Sequence, residues 1–275
     1  MSSSHAHAAG PAEVFASPAP RRHGAILYAR MKASRLRGKV LMPACGRPLL
    51  LLLVERLLRC ETLDRIIIAT TDTAEDDRLA ETCTAAGVSV FRGSEEDVLD
   101  RTYRCALAYG LDPVIRFTAD NPLIDAPIAD GVIRQYLDHP DDYDYVSNNH
   151  PPTWPDGEEV EIVRFAALEA AWNEGREPFQ REHCTPFIWD QPERFRVANV
   201  ALDDDRLHAE RWTLDYPEDY DFIRRVYEEL YPSNPDFRMH DILSLLDRKP
   251  EIRQINAMHA GDVWYSRHAE SLRTI

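Results

Sequence analysis

No acidic residue lies between Arg21 and Val54, in a 275-residue chain whose formal net charge is −15 at pH 7. Other absences narrow the reading before that one is used. The 5 cysteines (Cys45, Cys60, Cys83, Cys105 and Cys184) are odd in number, widely spaced, and form no CxxC pair. That excludes a disulfide frame or a thiolate zinc site and leaves small buried thiols in a reducing compartment. Long apolar runs are missing too. The longest, Leu49 to Val54, is followed at once by Glu55-Arg56 and is far too short to cross a bilayer. Residues 1–22 are rich in Ser, Ala and Pro and lack the apolar segment of a signal peptide, so they read as a disordered tail of a cytoplasmic protein. The acidic balance argues against a general nucleic-acid binder, which needs a basic face. No Ser-His-Asp or Cys-His nucleophile pattern is present, nor any internal repeat.

Against that background, eight basic residues between Arg21 and Val54 stand out. Arg30, Lys32, Arg35, Arg37, Lys39 and Arg47 fall in or just after Ala29-Arg-Met-Lys-Ala-Ser-Arg-Leu-Arg-Gly-Lys39. The stretch follows Ala25-Ile-Leu-Tyr-Ala29, which reads as a buried strand. Cations gathered on a loop at a strand end, with Gly38 permitting close backbone approach, suit a polyphosphate. Solubility does not explain them in an acidic molecule.

Strand and helix patterns alternate through the first half. Strands are predicted at 25–29, 65–71, 88–91 and 114–118, with helices between, the one from Val98 capped by Ser94-Glu-Glu-Asp97 and ended by Gly110. This is the pattern of an α/β fold with a mostly parallel, Rossmann-like sheet covered by helices on both faces. Further strands are predicted at 144–147, 160–163, 195–200 and 211–214, and helices at 165–172 and 217–230. The expected organisation is a tail (1–22), one α/β domain (23–232) and a C-terminal helical extension (233–275) whose apolar face carries Ile242, Leu243, Leu245 and Leu246.

A polyphosphate site calls for magnesium, and magnesium for carboxylates. Asp120 follows the strand Val114–Thr118 and Asp215 follows Arg211-Trp-Thr-Leu214; in each case a Pro two residues on turns the chain away. Ligands of open α/β sheets bind beyond the carboxyl ends of the strands, where both aspartates are expected.

These motifs carry a family resemblance. Ala29-Arg-Met, Ser34-Arg-Leu and Gly38-Lys39, with Phe91-Arg-Gly-Ser-Glu-Glu-Asp-Val-Leu-Asp-Arg101, resemble the SpsF-like (spore coat polysaccharide biosynthesis) cytidylyltransferases. So do Thr118-Ala-Asp-Asn-Pro-Leu-Ile-Asp125, Tyr145-Val-Ser-Asn148, Arg181-Glu-His183 with Thr185-Pro186, and Arg211-Trp-Thr-Leu-Asp215 with Pro217-Glu-Asp219. The resemblance spans about residues 24–260 and extends, more distantly, to the enzymes that make CMP-Kdo and CMP-sialic acid. It implies a GT-A-like nucleotidyltransferase fold with a small dimerisation subregion, a CTP donor, a Mg²⁺ cofactor, a homodimer, and transfer of CMP to an acceptor oxygen of a sugar acid or phosphonate with release of pyrophosphate. Arg30, Arg35 and Lys39 would be catalytic, holding the triphosphate with Ser34 while Gly38 admits the backbone. Ala29, Thr118, Ser94, Asp97 and Arg101 would complete the nucleotide site, and Asp120 and Asp215 would hold the metal. Where the family usually has Pro before Gly-Lys, this chain has Arg37, which frees φ and adds a cation.

The acceptor pocket is expected to include Asn148, Asp156, Glu159, Glu161 and Arg181. Asp156-Gly-Glu-Glu-Val-Glu161 alternates along a predicted strand, which puts Glu159 and Glu161 on one face and leans the acceptor towards an amine-bearing molecule. Two rival readings are a GT-A glycosyltransferase with a nucleotide-sugar donor and a nucleotide-binding protein without turnover.

Overall fold

A computed structural model describes residues 23–203, 205–262 and 270–274; the expected tail at 1–22 lies outside them. Four parallel strands form one half of a seven-stranded sheet: β1 (His23–Tyr28), β4 (Leu63–Thr71), β5 (Ser89–Gly93) and β6 (Val114–Thr118). The rest is β7 (Tyr145–Ser147), β8 (Glu161–Val163) and β9 (Val197–Asn199), in the order β5-β4-β1-β6-β8-β7-β9. Only β8 runs against its neighbours. Chain order reverses between β1 and β6, so a crevice opens beyond the carboxyl ends of these two strands.

Side chains alternate across the sheet, and both faces are covered. Ala25 and Leu27 join a cluster with Leu50, Leu53 and Val54 of α1 (Leu49–Leu57) and Val132 and Ile133 of α4 (Ala126–Leu137). Ile26 and Tyr28 face the other way, onto α3 (Val98–Tyr109), α5 (Phe165–Glu174), α6 (Pro178–His183) and α7 (Pro186–Trp189). This two-sided burial is why β1 reads as an unbroken apolar run.

A third cluster binds α8 (Pro217–Leu230) and α9 (Met239–Arg248) to the start of α1, through Trp212, Leu214, Phe222, Phe237 and Ile242. Residues 211–214 are not the strand expected. They make one isolated parallel bridge, Asp156 to Arg211, and bury Trp212 and Leu214 among helices instead. Glu159 likewise lies in the turn before β8, so it shares no strand face with Glu161. A small hairpin, β2 (Pro43–Ala44) and β3 (Arg47–Pro48), was not anticipated. Its two-residue tip, Cys45 (φ 48°) and Gly46 (φ 75°), has the left-handed backbone of a type I′ turn and leaves Cys45 exposed, while the other four cysteines are buried.

Candidate active site

Both strand ends at the crevice carry the residues that sequence singled out. After β1, the backbone N–H of Met31 donates to Asp76 Oδ1 at 2.6 Å. Asp76, 1% exposed, also accepts from Thr70 Oγ1 and from the N–H and hydroxyl of Thr71 at the end of β4, so it ties the loop root to the neighbouring strand. Gly38 turns the loop back with φ 73° and donates to Met31 O at 2.8 Å. A side chain at that φ would be strained. The turn delivers Lys39 beneath the loop.

Lys39 Nζ donates to Leu214 O at 2.6 Å and to Asp215 Oδ1 at 2.8 Å, and lies 3.6 Å from Asp120 Oδ2. Arg35 Nη1 reaches the other oxygen of Asp215 at 2.8 Å, with its guanidinium over the Tyr216 ring. Two carboxylates, Asp120 beyond the end of β6 and Asp215 before α8, therefore face two cations of the basic loop. They meet because Leu214 N and Thr213 Oγ1 both donate to the Asp120 carbonyl, at 2.7 and 3.2 Å.

A buried network fixes Asp215. Asp219, fully buried at the first turn of α8, accepts the N–H groups of Asp215 and Tyr216 at 2.9 Å each. It also takes a two-pronged contact from Arg211 at 2.9 and 3.0 Å and one from Asn256 Nδ2 at 2.9 Å. Arg211 goes on to Asp156 Oδ2 at 3.1 Å. Asn256 belongs to the C-terminal extension, which also stacks His259 flat on Tyr216, 3.8 Å between centroids. Arg211 and Asp219 sit inside a recognised motif but carried no expected role, and Asn256 leaves no signal in the sequence at all.

The remaining candidates divide. Arg30 and Ser34 are exposed and line an open cleft of about 690 Å³ that also touches Arg37, Glu95, Val98 and Arg181. The Arg30 guanidinium has no partner among the described residues, whereas Arg37 pairs with Glu75 at 2.5 Å. Ala29 continues the β1 pairing by donating to Ala69 O, and Thr118 pairs with Tyr28 at the end of β6. Ser94 and Asp97 cap α3: Ser94 Oγ accepts from Asp97 N, and Asp97 Oδ1 accepts from Asp100 N at 2.8 Å. Arg101 is buried and donates to Ser94 O, so it supports this corner from inside.

The expected acceptor residues are less coherent. Asn148 is 1% exposed and uses its amide to clamp Glu158 O and Val160 N, at 2.7 and 2.8 Å. Glu161 takes Arg116, the Tyr145 hydroxyl at 2.7 Å and the Thr185 hydroxyl at 2.6 Å, which makes it the partner of a buried arginine. These two are frame residues of the sheet, not pocket walls. Arg181 reaches the cleft but pairs with Asp97. Asp156 and Glu159 stay near the aspartate pair, and Glu159 accepts from Asn121 Nδ2 at 2.6 Å and Gly157 N at 3.1 Å. Burial first, and then neighbouring carboxylates, push both of their pKa values up; for Asp156, Arg211 opposes the rise.

The Asp120 carboxylate accepts no hydrogen bond from any described residue, and the two aspartates offer hard oxygen donors to one small positive centre. Such a donor set fits a magnesium ion that completes its shell with water and phosphate oxygens. No group of three or more His, Cys, Asp or Glu gathers to hold a metal among the described residues. No described helix is long and apolar enough to cross a membrane.

The sequence model of the cytidylyltransferase family matches residues 25–240. The chain is 38% identical over 233 residues to an uncharacterized protein of Methanocaldococcus jannaschii, covering 84% of this chain and 93% of that one. It is 35% identical over 237 residues to the spore coat polysaccharide biosynthesis protein SpsF of Bacillus subtilis, covering 82% and 94%. Among solved structures, a cytidylyltransferase from Leptospira borgpetersenii superposes with a TM-score of 0.80 at 29% identity, over 85% of this chain and 97% of that one.

Proposed function

The chain belongs to the cytidylyltransferase family, and on that premise we propose that it transfers CMP from CTP to an oxygen of a small acceptor and releases pyrophosphate, with magnesium held by Asp120 and Asp215. The observation that carries this reading is the meeting of Lys39 and Arg35 with Asp215, beside Asp120, at the crevice between β1 and β6. A polyphosphate entering there finds Arg30 unengaged and Arg35 and Lys39 within reach of its oxygens. The acceptor oxygen attacks the α-phosphorus, a hydroxyl giving up its proton to solvent and a phosphonate oxygen arriving already ionised; the bond to the oxygen bridging to the β-phosphate breaks, and its electron pair leaves with pyrophosphate. Lys39 and Arg35 offset the charge that builds on the departing group, and Gly38 lets the loop lie close to it. A bound magnesium ion would neutralise phosphate oxygens and make phosphorus more electrophilic. Asp219 and Arg211 hold Asp215 in place throughout.

The acceptor in this reading is a sugar acid or a phosphonate; the polysaccharide biosynthesis in the name of the SpsF relative supports a saccharide-derived one. A preference for an amine loses support, since Glu161 serves Arg116 and Asp156 serves Arg211.

The test is product analysis with CTP, magnesium and a panel of such acceptors. The expected products are a CMP-linked acceptor and pyrophosphate; release of a nucleoside diphosphate from a sugar nucleotide would replace the reading with glycosyl transfer. Lys39→Ala and Asp120→Asn should each lower turnover by ~100-fold or more. Near-normal turnover in either variant removes that residue from the assignment.

A further inference from the structure

The ammonium of Lys39 stands where a metal held by Asp120 and Asp215 would stand. Its stem is largely enclosed, with the side chain 12% exposed, and it faces oxygens at 2.6, 2.8 and 3.6 Å, from Leu214, Asp215 and Asp120. Arg35 neutralises the second oxygen of Asp215, and Arg211 stands 3.9 Å from the same carboxylate. A divalent cation arriving alone meets two carboxylates whose charge is already answered and three cations that repel it. A triphosphate arriving with the metal changes this, because it offers Lys39 and Arg35 new anionic partners on the cleft side of the loop.

We propose that Lys39, with Arg35, is the resident counter-ion of the Asp120–Asp215 pair, excluding free divalent metal until a triphosphate draws the two side chains away. Metal and nucleotide then bind with positive coupling, and each raises the affinity for the other by the same factor. The inference rests on the nucleotidyl-transfer reading, but it makes a claim about Lys39 that activity does not report. Loss of a residue that only binds phosphate weakens nucleotide binding and leaves the metal unaffected. Loss of a resident counter-ion makes the nucleotide-free protein a better metal site.

The experiment titrates Mn²⁺, read by electron paramagnetic resonance, into nucleotide-free full-length protein. Lys39→Met, which keeps the volume of the stem, should bind Mn²⁺ about tenfold more tightly than wild type or better, within the usual span of such couplings. Adding Asp120→Asn to Lys39→Met should abolish the gain. Arg35→Gln, at a side chain 29% exposed, should shift affinity in the same direction and decides the matter if Lys39→Met does not fold. Mn²⁺ affinity in both variants no higher than wild type overturns the counter-ion role, while pyrophosphate release from CTP by wild type leaves the functional reading intact. Failure of wild type to release pyrophosphate from CTP with any acceptor overturns the reading itself, and the inference with it.

Discussion

Removing the Asp219 carboxylate is the sharpest test of how the site is held. In Asp219→Ala, Arg211, whose side chain is 2% exposed, keeps its 3.1 Å contact with Asp156 and two longer ones, to the Asp262 carbonyl at 3.5 Å and to Asp215 at 3.9 Å. Two backbone N–H groups at the start of α8 lose their acceptor at the same time, and the Asn256 amide loses one of its two, keeping the Arg211 carbonyl. Breaking a buried ion pair from one side costs about 3–5 kcal/mol, and loss of a helix cap adds about 1. Partial neutralisation of Arg211 by Asp156 argues for the lower end, so about 4 kcal/mol in all. For a chain of this size that lowers the melting midpoint by roughly 10 °C. Chemical denaturation with matched calorimetry measures it. The isosteric Asp219→Asn should fall between, since it keeps one acceptor oxygen but not the charge. Because Asp215 is the residue being held, turnover at temperatures where the variant is still folded should drop as well. A loss under ~1 kcal/mol would show that Arg211 and the loop N–H groups find other partners, and would refute the idea that Asp219 fixes Asp215.

Three further outcomes follow from single features of the fold. Glu158 is fully buried, its Oε1 makes no hydrogen bond, and burial followed by the charge of Asp125 raises its pKa well above the ordinary carboxyl range. The folded chain thus keeps a proton that the unfolded chain releases, so this stabilisation is present below the unfolded pKa and is lost as pH rises through the folded one. Glu158→Gln should flatten the decline of unfolding free energy with rising pH, and an unchanged slope in a pH series of denaturant titrations would refute this. Gly157 has φ +124°, and a Cβ there would come within 2.9 Å of the Trp212 carbonyl carbon; Gly157→Ala should cost at least ~1–3 kcal/mol by the same titrations. Arg37, whose side chain is 76% exposed in its pair with Glu75, should be replaceable by Ala with a stability change within ~1 kcal/mol.

Where burial is two-sided or turn chemistry is local, the sequence speaks directly. Strands β1, β4 and β6 are legible because both faces are covered and their central residues are mostly apolar. The start of α3 is legible because Asp97 caps it with its own side chain. Residues 211–214 mislead because Trp212 and Leu214 are apolar for a helical cluster, not for a sheet, and their N–H groups go to the Asp156 and Asp120 carbonyls. The β2–β3 hairpin hides because each strand is two residues long and carries a Pro.

The same division holds at the site. Lys39 and Asp215 are 176 residues apart, and no local pattern joins them; the need of a polyphosphate for metal-binding carboxylates, and then the family resemblance, placed both in one constellation. Glu161 answers a demand already visible within the chain. Its partner is Arg116, an arginine in the otherwise apolar strand Val114-Ile-Arg-Phe-Thr118. A charge in a strand buried on both faces requires an opposite charge on a neighbouring strand, and β8, paired to β6 with Glu161 opposite Arg116, supplies it. The acidic run at 156–161 therefore answers three different demands. Asp156 balances Arg211, Glu161 balances Arg116, and Glu158 is buried against Asp125. That leaves Glu159, the carboxylate of the run bound to Asn121, next to Asp120.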